Sequence, residues 1–408
     1  MHILFFSDHH PDSLGGVQTS LLLQKKYLEN LGHKVTVVAS RRYRRGRTEG
    51  FIEVPSLPLP PTGAYSIQPS LHLAFRKAER ALAELAEPVD VVHIQADMWQ
   101  AIVGAKWAID HKIPLVWTVH TNLQVAFDHN VGKIGRKTVG QVMNLWASSF
   151  LHQDMPKKSG SLWAFQEQIA RNANFVAAPS GHFAQELMSH GVIDKTLVIP
   201  NGVDDEVVEG IEIRAAHDAD DLATRKIKII WAGRLSSEKR ISEFLGAFAQ
   251  ADLKNVELDV YGSGQLEAKV RLLVHHLGIA KVAHIKGRLP HKKLVATFAT
   301  ADAVCQTSLG FETQGMTVYE SISVGTPVFV VDPQIAGELP AENVWVSKKP
   351  DVDAMAKSLR AMVADIRSGN TKRAVDTGEW TVLQSKLTAK WLKIYSDAIA
   401  QGPKRFHI

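Results

Sequence analysis

Two carboxylates eight residues apart, Glu312 and Glu320, flank a glycine turn in the segment GFETQGMTVYESISVGTPVFV (310–330). The pattern predicts a strand end carrying Glu312, a turn at Gly315, Met316 and Thr317, and a helix with Glu320 on its first turns. Gly325 closes that helix before Thr-Pro leads into the next strand. Carboxylates accept hydrogen bonds from vicinal hydroxyls, so such a pair suits one sugar ring and one ribose. Turn amides and a helix N-terminus add donors for a phosphate. Two glutamates on a plain surface helix would require neither the glycine turn nor the flanking strands.

A second group is cationic. In WAGRLSSEKR (231–240) Arg234 and Lys239 stand five residues apart, just after an apolar strand pattern. A forked guanidinium and a compact ammonium complement each other on a diphosphate. In an open α/β sheet the ligand crevice lies at that carboxyl edge of the strands. Taken alone, a basic pair at a helix start also reads as solvent-facing.

Weaker signals lie in the first half. Gly15 and Gly16 follow the first strand pattern and precede a helical one, which fits either a loop close to an anion or a plain tight turn. They are not part of G-x-G-x-x-G, and the second strand ends in Ala39-Ser40 without an acidic residue, against a dinucleotide cofactor. His120 ends the run PLVWTVH, where a histidine is either structural or aimed into a crevice. His9 and His10 follow the first strand and could face the same crevice, and with Asn122 they are the candidate acceptor contacts. No histidine or cysteine grouping has metal-ligand spacing, so no metal site is expected. Asp218 and Asp220 spell D-x-D, but in a polar stretch that reads as solvated. Cys305 lies inside an apolar strand, where burial is the default.

The elements that must position these residues alternate along the chain. Short apolar runs at 2–8, 34–40, 90–95, 114–120, 175–180 and 196–201, then at 228–233, 257–262, 282–287, 302–308, 327–332 and 343–348, are separated by helical patterns. Continuous apolar runs suit strands buried on both faces of a parallel sheet, so the fold class is α/β, doubly wound. A chain of 408 residues exceeds one ordinary core and fits two such domains. The expected division is 1–204, a polar linker 205–225, and 226–379. An amphipathic helix at 380–401 follows, with Trp380, Leu383, Leu387, Trp391, Ile394 and Tyr395 near helical spacing.

Composition narrows the class. An apolar fraction of 45% with 22% charged residues is that of a soluble globular protein, and no run reaches the roughly 20 apolar residues of a membrane span. The start lacks the pattern of a signal peptide, and a single cysteine excludes an internal disulfide, so a cytoplasmic enzyme is expected. A net charge of +5 is too small to point to nucleic acid. It is concentrated, however, at Arg41, Arg42, Arg44, Arg45 and Arg47. Such a segment is a solvated loop, a contact with an anionic membrane on its inner face, or a grip on a phosphorylated acceptor.

Taken together, Gly15-Gly16-Val17, PNGVD (200–204), AGRLSSEKR (232–240), YGSG (261–264), KGRLP (286–290) and the E-x7-E segment resemble the GT-B glycosyltransferases of family four, a retaining group, in order and spacing over almost the whole chain. The resemblance implies two Rossmann-like domains facing across a cleft, with the C-terminal helix returning to the first. It implies that Arg234 and Lys239 bind the donor diphosphate, that Glu312 holds hexose hydroxyls, and that Glu320 holds the ribose. By the same resemblance Gly16, Gly315, Met316 and Thr317 approach phosphate and sugar, the backbone at Arg288 and Leu289 faces the base, and His120 lies near the reacting sugar. The family often has Phe-Gly where Thr313-Gln314-Gly315 stands here, so its hexose preference does not carry over. The segment 120–122 and the basic loop are similar to lipid-acceptor members, the phosphatidylinositol mannosyltransferases and diacylglycerol glucosyltransferases. The expected activity is metal-independent transfer of a hexose from a nucleotide-sugar to a hydroxyl, with a membrane lipid favoured over a soluble acceptor. A nucleotide-sugar epimerase and a non-catalytic nucleotide-sugar binding protein are the competing readings.

Overall fold

The computed structural model describes residues 1–10, 15–41, 51–58, 66–211, 225–370 and 381–404. Arg42, Arg44, Arg45, Arg47, Asp218, Asp220 and Trp380 lie outside them. The chain forms two compact units, one of Met1–Gly202 with Gln384–Ile408 and the other of Val203–Leu383.

The first unit holds, among the described residues, a seven-stranded sheet. Its strands are β1 (His2–Ser7), β2 (Lys34–Ser40), β3 (Phe51–Val54), β6 (Val91–Ile94), β7 (Leu115–Thr118), β8 (Phe175–Ala178) and β9 (Leu197–Val198). The order is β3-β2-β1-β6-β7-β8-β9, and every pair is parallel. All six residues of β1 are buried, because this central strand has helices on both faces. β3 was not among the expected strands. FIEV (51–54) is only half-buried at the sheet's edge, so its apolar signal is short. A small antiparallel pair, β4 (Leu57–Pro58) with β5 (Ser66–Ile67), was likewise unexpected.

The second unit holds β10 (Ile227–Ala232), β11 (Val256–Tyr261), β12 (Ala283–Gly287), β13 (Ala303–Gln306), β14 (Val328–Val330) and β15 (Val344–Val346). Their order is β12-β11-β10-β13-β14-β15, again all parallel. Both sheets therefore have a switch point, where the chain leaves one side of the first strand and returns on the other. In the first unit it lies between β1 and β6, in the second between β10 and β13. Side chains leaving those strand ends are the ones a crevice at the carboxyl edge can use.

The segment expected as a linker begins differently. Asp205–Glu209 forms a short helix capped by the Asp204 carboxylate, which accepts from the Glu206 N–H at 3.2 Å, and Val207 is buried. The C-terminal helix starts at Gln384 rather than 380. Leu383 instead bridges to Val203, inside the second unit. Leu387, Trp391, Tyr395 and Ala398 bury one stripe against Ile3, Phe5, Leu21 and Val116. At about 2 kcal/mol for each large apolar side chain removed from water, this stripe alone fixes the helix to the first unit.

Candidate functional site

The chain leaves β10 through Gly233 and Arg234 and then turns through a 3-10 segment, Ser237–Lys239. It leaves β13 through Thr307 and Ser308 into the turn that carries Glu312. Glu312 thus sits beyond the strand, six residues past its last residue Gln306, rather than on the strand end. The two loops meet at the switch point. Lys239 Nζ and Glu312 Oε1 form an ion pair, and Ser308 Oγ donates to the same oxygen at 2.8 Å. The ammonium also lies 5.7 Å from the Phe311 ring centre. Burial alone would raise the Glu312 pKa. The Lys239 charge and hydrogen bonds from Lys239, Ser308 and Gln306 outweigh it, and the net shift is downward. Arg234 is exposed, and its side chain makes no ion pair or hydrogen bond among the described residues.

Side-chain and backbone hydrogen bonds hold the cationic loop in place. Trp231 Nε1 donates to Thr307 Oγ1 at 3.0 Å, and that hydroxyl donates to the Lys239 carbonyl at 2.7 Å. Leu235 N–H bonds to the Ser263 carbonyl at 3.0 Å, and Gly233 N–H to the Tyr261 carbonyl at 3.1 Å. YGSG has its physical reason here. Gly262 has φ 134°, and a Cβ on it would lie 1.8 Å from the Gly233 carbonyl oxygen. The closeness that glycine allows is what fixes the Arg234 loop.

Gly315 takes φ 79° as the residue before helix Met316–Ser323, a left-handed conformation glycine adopts without strain. Met316 and Thr317 are the first residues of that helix, so their N–H groups are among its unbonded ones. Glu320 is buried on its second turn and receives His291 Nε2 at 2.6 Å. Arg288 is exposed and Leu289 half-buried in the turn after β12.

In the first unit His120 is buried. Its Nε2 lies 3.2 Å from Gln95 Oε1, and its backbone N–H donates to Asp97 Oδ1 at 2.9 Å. Desolvation pushes the imidazole pKa down to about 4, so the ring is neutral at pH 7. Asp97 moves the other way, to about 7. Burial raises it, the Asp8 charge adds to that, and hydrogen bonds from Thr121 and the His120 amide only partly offset the rise. Asp8, at the end of β1, accepts from the Asp97, Met98 and Gln100 N–H groups at 2.7, 2.8 and 2.8 Å and caps helix Trp99–His111. Ser20, Gln24, Gln95, Thr118, His120, Asn201 and Gln384 line a polar cavity of about 10 Å³, room for one water.

The remaining candidates are placed as follows. Gly16 is exposed and opens helix Gly16–Asn30. His9 is half-buried, and its carbonyl accepts from Ser7 Oγ at 2.8 Å. His10 is buried with Nε2 3.3 Å from Glu53, which ties it to β3. Asn122 caps helix Leu123–Leu151 by accepting from the Val125 N–H at 3.1 Å, and it donates to Glu186 at 3.0 Å. Cys305 is buried and its thiol pKa is raised. Among the described residues no three or more His, Cys, Asp or Glu side chains group as a metal site would need. No helix among them is long and apolar enough to cross a membrane.

Sequence reasoning brought Lys239 and Glu312 to one place but missed Ser308, Gln306, His291, Gln95 and Asp97. The signal available was position, since each follows or ends a strand beside a switch point or opens a helix at the same sheet edge.

Comparison with known proteins bears on the family and the fold. Residues 14–207 match the family described as Glycosyltransferase Family 4, and residues 212–375 match Glycosyl transferases group 1. The alpha-monoglucosyldiacylglycerol synthase of Acholeplasma laidlawii is 22% identical over 91% of this chain and 99% of that protein. The enzyme of the same name from Streptococcus pneumoniae is 26% identical over 80% of this chain and 70% of its own length. A GDP-mannose-dependent alpha-(1-6)-phosphatidylinositol dimannoside mannosyltransferase of Mycobacterium tuberculosis is 23% identical over 89% of this chain and 88% of that protein. Among solved structures, Anabaena HepE in complex with UDP superposes with a TM-score of 0.68 at 17% identity, covering 97% of this chain and 100% of the other. The sucrose-phosphate synthase of Thermosynechococcus elongatus gives 0.70 at 17% identity, covering 98% and 99%. The fold is GT-B.

Proposed function

We propose, for a chain that belongs to the group 1 glycosyltransferases with a family 4 domain ahead, that it transfers a hexose from a nucleoside-diphosphate sugar to a membrane lipid, with retention and without a metal ion. The observation that carries the reading is the pairing at the switch point of the second unit. There Lys239 and Glu312 are held together by a built network, and the Arg234 side chain at the same edge makes no ion pair or hydrogen bond among the described residues.

In this reading Arg234 and Lys239 take the negative charge that grows on the leaving diphosphate, and Glu312 accepts hydrogen bonds from the hexose. The bond from the anomeric carbon to the phosphate oxygen breaks, and a bond to the acceptor oxygen forms on the same face. The acceptor proton passes to the departing phosphate. Glu312 is already engaged by Lys239 and Ser308, which leaves it poorly placed as a covalent nucleophile. His120, in the first unit, is neutral at pH 7 and so offers a hydrogen-bonding ring rather than a charge.

The names of the relatives support a lipid acceptor, as does the surface of the first unit. Ile134 is 87% exposed and Leu145 55%, both on helix Leu123–Leu151, where Lys133 and Lys137 are also exposed. Apolar residues among lysines fit an anionic interface. The test is release of UDP from UDP-glucose and of GDP from GDP-mannose, in EDTA, with and without vesicles carrying diacylglycerol or phosphatidylinositol. Release that depends on a vesicle acceptor and yields an α-glycolipid supports the reading. Acceptor-independent turnover, or activity restored only by a divalent ion, overturns it.

A further inference from the structure

Glu320 is the deeper of the two spaced glutamates, and its partner is a residue no motif contains. His291 is the first residue of helix His291–Phe298, next to the turn that carries Arg288 and Leu289. Its Nε2 lies 2.6 Å from Glu320 Oε1, and the two side chains are unequally covered, with Glu320 8% exposed and His291 42%. A carboxylate so far from water needs a compensating donor. His291 supplies one. Its pKa is raised, first by the hydrogen bond to Glu320; burial opposes this, and the charges of Glu320 and Asp204 reinforce it. The other carboxylate oxygen, Oε2, takes no hydrogen bond among the described residues. A buried carboxylate with one oxygen fixed by His291 is arranged to accept a hydroxyl at the other.

We propose that His291 is a positioning residue of the nucleotide subsite, clamping Glu320 by Oε1 so that Oε2 is presented to a ribose hydroxyl. The inference rests on the reading of Glu320 as the ribose carboxylate. A free glutamate samples several rotamers, and a ligand that orders it gives up part of its binding energy to do so. His291 removes that cost beforehand. Its effect is therefore confined to ligands with the hydroxyl: a nucleotide lacking it gains nothing from an oriented Oε2.

The experiment measures dissociation constants by calorimetry for UDP, GDP and ADP, then for the 2′-deoxy and 3′-deoxy forms of whichever binds. The proteins are wild type, Glu320→Gln, His291→Leu, His291→Asn and His291→Gln. A charge-assisted hydrogen bond is worth about tenfold in affinity or somewhat more. His291→Leu should weaken the ribonucleotide about tenfold while the form lacking the recognised hydroxyl is little changed, so that discrimination collapses. His291→Gln, whose amide can still reach Oε1, should restore part of it. His291→Asn is too short to do so and serves as the second disrupting variant if the leucine protein does not fold. A purely structural ion pair would weaken all the nucleotides together, and that result overturns the proposal. If Glu320→Gln abolishes discrimination while both disrupting histidine variants keep it, Glu320 reads the ribose and His291 does not position it. If Glu320→Gln leaves discrimination intact, or no nucleotide binds wild type, the reading of Glu320 falls and the inference with it.

Discussion

The buried pair around residue 97 makes a prediction about acid stability that opposes two groups of one unit. His120 keeps a neutral ring in the fold down to about pH 4, while in the unfolded chain it takes up a proton near 6.5. Its contribution is present above 6.5 and is lost as the pH falls toward 4. Asp97 keeps its proton up to about pH 7 in the fold but releases it near 3.8 when unfolded. Over that window the folded state binds the extra proton, so stability rises as the pH falls. Each pH unit between a group's two values is worth about 1.4 kcal/mol. From pH 7 to pH 5 His120 therefore costs about 2 kcal/mol and Asp97 returns about 2 kcal/mol. In the wild-type protein the two largely cancel.

Single replacements separate them. Asp97→Asn keeps an acceptor for the His120 amide but cannot ionise, so relative to wild type it should lose about 2 kcal/mol between pH 7 and pH 5. His120→Asn should gain about 2 kcal/mol over the same interval. His93, whose pKa is lowered first by burial and then by His120, remains in all the proteins compared; it drops out of the Asp97→Asn difference, and only its smaller coupling to His120 changes in His120→Asn. The assay is urea unfolding at both pH values with hydrogen exchange read on peptides spanning β6 and β7, which reports the first unit separately. Parallel pH dependences in the three proteins would refute the reasoning, because neither group would then carry a shifted charge.

Further outcomes follow from the second unit and the C-terminal helix. Arg234→Ala should lower kcat/KM by about 100-fold with no change in melting temperature, since the side chain is exposed and makes no ion pair or hydrogen bond among the described residues. Lys239→Ala should show a similar kinetic loss and also cost about 2 kcal/mol, because it leaves the Glu312 carboxylate covered without its counter-charge; equal melting curves for the two variants would contradict the ion pair. Gly262→Ala should destabilise by about 3 kcal/mol or displace the Arg234 loop, given φ 134° and a Cβ 1.8 Å from the Gly233 carbonyl; an unperturbed, fully active protein would mean the loops are not in contact. Tyr395→Phe removes the hydroxyl 2.7 Å from His93 Nδ1 and should cost about 1–2 kcal/mol, read as faster exchange across Gln384–Gln401.

How much of this was legible depended on whether the signal is local. The buried parallel strands write themselves as unbroken apolar runs, as in HILFFS and KVTVVAS, because both faces of a central strand meet helices. β3 escaped because it is four residues long and mostly half-buried, so its apolar run is short. Arg234, Lys239, Glu312 and Glu320 stood out as candidates because they keep fixed spacing around glycines. His291 and Ser308 were not, because the first reaches Glu320 from another helix and the second is an ordinary serine beside a strand end. Asn122, expected as an acceptor contact, caps a helix, a role its side chain serves at any helix start.

The same geometry sets a limit on what Lys239 can do for a ligand. In the free protein its ammonium already neutralises Glu312, so a diphosphate must share that cation with the carboxylate. On the proposed reading a nucleotide-sugar would relieve the conflict, because its hexose hydroxyls would give Glu312 new donors while its phosphates engage Lys239 and Arg234. A bare nucleoside diphosphate brings the phosphates but not the hydroxyls, and it faces the carboxylate's charge. Removing that charge should therefore act oppositely on the two ligands. Glu312→Gln should bind the nucleoside diphosphate several-fold more tightly, by about 1 kcal/mol, as an exposed-to-half-buried charge contact is worth, while transfer from the sugar donor falls about 100-fold. Calorimetry with the diphosphate and turnover with the donor measure the two effects on one protein. Weaker binding of the diphosphate by Glu312→Gln would mean that the carboxylate assists the phosphate rather than competes for Lys239, and the division of labour between the two residues would have to be reversed.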